Sequence, residues 1–214
     1  MEKIVILGAG GFGREVKALI DQINKQKPTY LLEGFYDDDK NLPNKINGVP
    51  LLGNLNTLLK RKENLSIALG IGVPKIKKKL VEKLKSSNNF SYPSLIHPSV
   101  IIGEDNINIE KGVIICAGNI LTCDILIEKF VTLNLYCTTG HDTKINSFSS
   151  FMPSVNISGE VTIESCVYVG TGAKIINQLS IGKNTIVGAG AVVSKSLPAN
   201  CTAVGIPAKP IKFH

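Results

Sequence analysis

The chain has 214 residues, 43% of them apolar, and 24 Lys and Arg against 17 Asp and Glu give it a formal net charge of +7. That length holds one large core or two modest ones, and with no recognition motif or interleaved aromatics the positive balance suits small polyanions better than a nucleic acid. No apolar run nears the ~20 residues that span a bilayer, and five cysteines without a Cys-x-x-Cys argue against disulfides and a zinc or other metal site, so a cytoplasmic protein is expected.

Ile4 to Leu7 is a continuous apolar run, the pattern of a parallel strand buried on both faces. Gly8-Ala9-Gly10-Gly11-Phe12-Gly13 then matches G-x-G-x-x-G, and Arg14 to Lys25 carries Val16, Leu19, Ile20 and Ile23 at helical spacing. A second strand, Leu31 to Tyr36, ends in Asp37-Asp38-Asp39. Together these make half a nucleotide-binding unit: amides at the helix start can meet phosphate oxygens, and an acid at the second strand's end can accept from a ribose or base. After Pro50-Leu51-Leu52, a helix near Asn56 to Lys62, a strand at Ile67 to Ile71 and a helix near Lys75 to Lys85, the pattern stops. That leaves room for a mononucleotide or nucleotide sugar but not a full nicotinamide site, which argues against a dehydrogenase. Lys75, Lys77, Lys78 and Lys79 read as the solvated face of the last helix.

Tyr92-Pro93-Ser94-Leu95-Ile96-His97-Pro98 marks a boundary between residues 1–94 and 95–214, with His97 a boundary or cap residue before proline. From Ile109 to Val193 every sixth residue is apolar except Thr139. A step of six fits a short strand followed by a corner, three such sides closing one coil of a prism. Four residues after each anchor the side chain is mostly small or β-branched, as at Val113, Val131, Thr143 and Ala173, which suits an inward-facing corner. The prism is expected to start near Ile96 and to end after Val193, where Pro198 and a basic tail replace the repeat. Thr139 stands two residues before His141, and a polar defect in the wall beside a histidine is the first place to look for chemistry.

These features resemble the hexapeptide-repeat acyltransferases, and among them the sialic acid O-acetyltransferase type and the N-acetyltransferases of nucleotide-linked amino sugars in bacterial glycan synthesis. The carriers are Gly8 to Glu15, Asp37-Asp38, Gly140-His141-Asp142, Asn156-Ile157-Ser158-Gly159, Val169 to Ala173 and Gly205-Ile206-Pro207-Ala208-Lys209. The resemblance implies a small Rossmann-like α/β domain followed by a left-handed parallel β-helix, acetyl-CoA as acyl donor, a nucleotide-linked amino sugar as acceptor, and a homotrimer with coenzyme A lying between subunits. It implies His141 as general base, supported by Asp142, with the Gly159 amide meeting the oxyanion. It places Gly10, Gly11, Phe12, Asp37, Asp38, Gly70 and Asn134 on the acceptor, and Ser150, Gly159, Thr171 and Ala189 along the coenzyme, with Lys174, Lys183 or Lys209 near its phosphates.

The chemistry agrees with the resemblance, because an amine or hydroxyl attacking a thioester must lose a proton, and an imidazole with a pKa near ~6.5 is ready to take it at neutral pH. Some family members carry a histidine where this chain has Phe12 and another where it has Ser150, which leaves the acceptor open. O-acetylation of a sugar such as sialic acid, or of another small hydroxyl compound, is the second enzymatic reading, and a non-catalytic scaffold built on the same prism is a reading of another class. Leu135, Tyr136, Phe148 and Tyr168, bulky and outside the inward positions, are expected at an interface or pocket.

Overall fold

The computed structural model describes residues 1–85 and 87–214. Its first part is a three-layer α/β unit. β1 (Glu2–Leu7) leads into α1 (Gly11–Gln26) and β2 (Tyr30–Tyr36), followed by a hairpin of β3 (Lys45–Ile46) and β4 (Val49–Gly53). Then come α2 (Leu55–Leu59), β5 (Leu65–Leu69), α3 (Pro74–Leu84) and β6 (Phe90–Ser91). The sheet runs β3-β4-β2-β1-β5-β6 and is parallel apart from the β3–β4 hairpin. The apolar run Ile4 to Leu7 is buried because it lies in the centre, with β2 on one side and β5 on the other. The chain leaves β1 to one side and later returns to its other side, so the crevice beyond β1 opens where the glycine loop sits.

From Leu95 the chain winds as a parallel β-solenoid with three faces. The strands are short: Ile114–Ile115, for example, pairs with Leu95–Ile96 below and Thr132–Leu133 above. Ile115, Leu133, Phe151, Val169, Val187 and Ala203 form one inward column, each 0% exposed, and burial stabilises the prism by about 1.5–3 kcal/mol for each of the five larger side chains. Thr139 takes the inward place between Leu121 and Ile157, where its Oγ1 has no hydrogen-bond partner among the described residues. It therefore faces the core behind His141 rather than opening the wall beside it. The corners repeat a left-handed backbone residue, as at Asn106, Asp124, Asp142 and Asn184, where short polar side chains fit best, and also at longer ones such as Glu160 and Gln178.

The solenoid runs past the expected end at Val193. Leu197 bridges to Ile181, and Cys201–Val204 pairs with Ile186–Val187 to add another strand to the first face. Pro198 and an irregular step hide this side from the six-residue period. Lys209–Phe213 then folds back antiparallel on Cys201–Val204. No helix among the described residues is long and apolar enough to cross a membrane.

The α/β unit rests on the first face. Leu95, Ile114 and Cys116 join the core that contains Val16, Leu19 and Ile20 of α1, whereas Phe130, Phe148 and Cys166 join the core on the side of α2 and α3. Phe148, expected at an interface or pocket, stacks on Phe130 with centroids 5.2 Å apart and is 8% exposed, and both rings line a cavity of 410 Å³ beside α3. Leu135 and Tyr136 do remain exposed. A larger departure is Lys77. The apolar stripe of α3 is formed by Pro74, Lys77, Val81 and Leu84, and Lys77 points into the domain junction with its Nζ donating to Thr132 Oγ1 at 2.9 Å and Ser150 Oγ at 3.0 Å.

Candidate active site

Three glycines build the turn after β1 by close packing. A Cβ on Gly70 would strike the Gly13 Cα and the Gly8 carbonyl at 2.6 Å, and one on Gly13 would strike the same Gly8 carbonyl. Gly70 is thus buried support beneath the loop, packed against Gly8 and Gly13. Gly10 and Gly11 have open space where a side chain would be. The first turn of α1 carries no acid and Gly10 offers no side-chain cap, so the amides of Gly11, Phe12 and Gly13 have no acceptor among the described residues and are open to an anion. A cavity of 290 Å³ lies between this loop and the β3 hairpin, lined by Gly10, Arg14, Lys45 and Asn47 among others. Phe12 is half-buried against the core beneath.

Asp37 closes the loop from the end of β2. One carboxylate oxygen accepts from the Ala9 amide at 2.8 Å and the other from the Asp39 amide at 2.9 Å. Asp38 accepts from the Leu55 amide at 2.9 Å and so holds the start of α2. Both acids fix backbone first, and each carboxylate keeps lone pairs for a ligand at the loop.

His141 occupies the corner after the second-face strand Thr138–Thr139. Its Nδ1 lies 2.8 Å from Asp142 Oδ2, both side chains being more than half exposed at 56% and 58%. A carboxylate facing Nδ1 fixes the proton there and turns the lone pair of Nε2 outward. That Nε2 stands over Gly159, one coil further on, where any side chain would collide with the ring. Beside it the His141 carbonyl accepts from the Glu160 amide at 2.8 Å, and the Gly159 amide has no acceptor among the described residues. The corner thus presents a basic nitrogen and an unengaged N–H in adjacent coils.

The other expected residues lie elsewhere. Asn134, Thr171 and Ala189 stand on the corner between the first and second faces, and Asn134 is nearly buried, with its Nδ2 3.4 Å from Glu15 Oε2. Glu15, the last residue of the glycine motif and on α1, has no role in the sequence reading beyond the motif itself, yet it joins the loop's helix to the solenoid at a cavity of 180 Å³ that Gln22, Cys116 and Asn134 also line. Thr171 and Ala189 are exposed and stacked one coil apart. Lys174, Lys183 and Lys209 are exposed too. Ser150 belongs to neither corner: it is 0% exposed beneath Lys77, which removes it from the coenzyme-contacting set. Within one chain the second face separates the His141 corner from the Asn134 corner. Among the described residues no cluster of His, Cys, Asp and Glu is arranged to hold a metal.

Residues 3–84 match the PglD N-terminal domain family. Over 216 aligned residues the chain is 32% identical to the GDP-perosamine N-acetyltransferase of Escherichia coli O157:H7, covering 97% of this chain and 95% of that protein. Among solved structures, WeeI from Acinetobacter baumannii AYE superposes with a TM-score of 0.88 at 33% identity, covering 99% of this chain and 100% of that one. PerB from Caulobacter crescentus, solved with CoA and GDP-perosamine, has a TM-score of 0.87 at 28% identity over 99% and 98% of the two chains.

Proposed function

This chain belongs to the hexapeptide-repeat sugar acetyltransferases, and from that membership we propose that it moves an acetyl group from acetyl-CoA to the amine of a nucleotide-linked amino sugar for surface-glycan synthesis. The observation that carries the reading is the His141 corner, with Nδ1 held by Asp142 and Nε2 turned out over Gly159.

The acceptor amine attacks the thioester carbon while its proton passes to His141 Nε2, and Asp142 stabilises the imidazolium that forms. The carbonyl oxygen becomes an oxyanion, for which the Gly159 amide is the donor. Collapse expels the thiolate of coenzyme A, which takes the proton back from the imidazolium. Gly10, Gly11, Phe12, Asp37 and Asp38 hold the nucleotide, Asn134 meets the sugar, and Thr171 and Ala189 line the path of the coenzyme.

Two corners of one prism do not face each other across a flat face. The reading therefore includes a homotrimer, acting in the cytoplasm, in which the His141 corner of one subunit meets the Asn134 corner of the next. Thiol release from acetyl-CoA in the presence of a panel of nucleotide amino sugars tests the reaction. Release with a free hydroxyl sugar and with none of the panel would replace it by O-acetylation.

A further inference from the structure

Lys77 is 1% exposed, and it projects from the apolar stripe of α3 between the first-face strands Thr132–Leu133 and Ser150–Phe151. Its Nζ meets two hydroxyl oxygens, Thr132 Oγ1 at 2.9 Å and Ser150 Oγ at 3.0 Å. A neutral amine has two N–H groups, and both are placed. Protonation adds a third, which finds no acceptor among the described residues, together with a charge that finds no carboxylate partner there.

The ionisable surroundings give little relief. On α3 itself Lys78 pairs with Glu82 at 4.0 Å, and both are exposed. Across the junction the buried Cys166 thiol is pushed up by its burial and supplies no anion at neutral pH, while Lys183 beyond it adds positive charge. Burial without a counter-ion disfavours an ammonium, and it pushes the Lys77 amine down to about 7.

We propose that Lys77 is a pH-responsive positioning residue, a peg that seats the N-terminal unit on the coils more firmly when its amine is neutral. Its effect on catalysis rests on the assignment of the glycine loop to the acceptor, because α3 follows the Gly70 segment that supports that loop. The docking does not depend on that assignment. When α3 lifts away, the lysine is solvated and its value returns to roughly 10.4. Between about 7 and roughly 10 the lifted state therefore binds more protons than the docked one, so docking strengthens as pH rises, by up to about tenfold per pH unit for one proton. Below about 7 both states carry the proton, and the slope vanishes while the full penalty remains.

Hydrogen exchange on the full chain, corrected for intrinsic rates, reads this directly. In the wild type, protection of α3 relative to the central coils should climb by up to about tenfold per pH unit between pH ~7 and ~9.5. Lys77→Met, similar in length and without charge, should flatten the climb and raise protection at neutral pH. A flat wild-type profile, or the same slope in both proteins, overturns the peg; the wild-type profile alone decides the matter where the variant does not fold. In the transfer assay, the acceptor KM of the wild type divided by that of Lys77→Met should fall as pH rises, whereas the same ratio for acetyl-CoA stays level. A level acceptor ratio beside a sloping exchange profile overturns the catalytic link. Absence of transfer to every nucleotide amino sugar overturns the proposed reaction instead and leaves the exchange result standing.

Discussion

The imidazole of His141 lies over Gly159, so closely that a methyl group there would collide with Nε2. Gly159→Ala must therefore turn the ring away and break its 2.8 Å contact with Asp142. Turnover should fall by about 10², the cost of misplacing a reacting group by roughly 1 Å. Steady-state kinetics with circular dichroism as a folding control checks this. Near-normal turnover in a folded variant would show that the ring does not act from its position over Gly159.

His141→Ala should lower kcat by about 10² to 10⁴, the usual contribution of a general base. Coenzyme A binding, measured by calorimetry, should survive because the corner at Thr171 and Ala189, proposed to line the coenzyme, is untouched. Wild-type turnover would take His141 out of the mechanism.

Asp37→Ala removes the acceptor for the Ala9 and Asp39 amides and lets the glycine loop relax. The acceptor KM should rise about tenfold or more, in line with loss of charge-assisted bonds. The KM for acetyl-CoA should hold. Equal affinity for the nucleotide sugar in variant and wild type, by calorimetry, would remove the loop from the acceptor site.

Phe151→Ala deletes the largest side chain of the inward column, between Leu133 and Val169. Urea unfolding should show a loss of about 3–5 kcal/mol with little change in the slope on denaturant. A loss under ~1 kcal/mol would mean that the coils collapse around the gap.

Light scattering at assay concentration should give three times the 23.0 kDa chain mass. Full activity from a monomer would defeat both the trimer and a site divided between two subunits.

The prism was legible because an inward column repeats every coil, and burial accepts few residue types at each inward place. The glycine turn was legible for a similar reason: Gly8, Gly13 and Gly70 leave no room for side chains, although the sequence does not say which of its glycines face a ligand. What escaped depends on how the two parts dock. Lys77 was grouped with its lysine neighbours, yet its spacing from Pro74, Val81 and Leu84 already set it on the apolar stripe. Ser150 and Phe148 lie on outward positions, and whether an outward position meets water, a coenzyme or a helix is decided by a contact more than sixty residues away in the chain, as Lys77 to Ser150 illustrates. The Gly-His-Asp motif pointed to His141 and to its contact with Asp142, but the separation of His141 from Asn134 follows from the corner each occupies.

A stack of parallel coils ends in open hydrogen-bonding groups, which invite another chain to continue the ladder. At the C-terminal end the antiparallel strand Lys209–Phe213 covers Cys201–Val204, and its own outer edge carries Lys209, Pro210 and Lys212. A proline lacks the N–H that an incoming strand would need, and two like charges repel a second copy. Loss of this strand would turn Cys201–Val204 into an open edge at the end of the first face, the kind of edge onto which another chain adds.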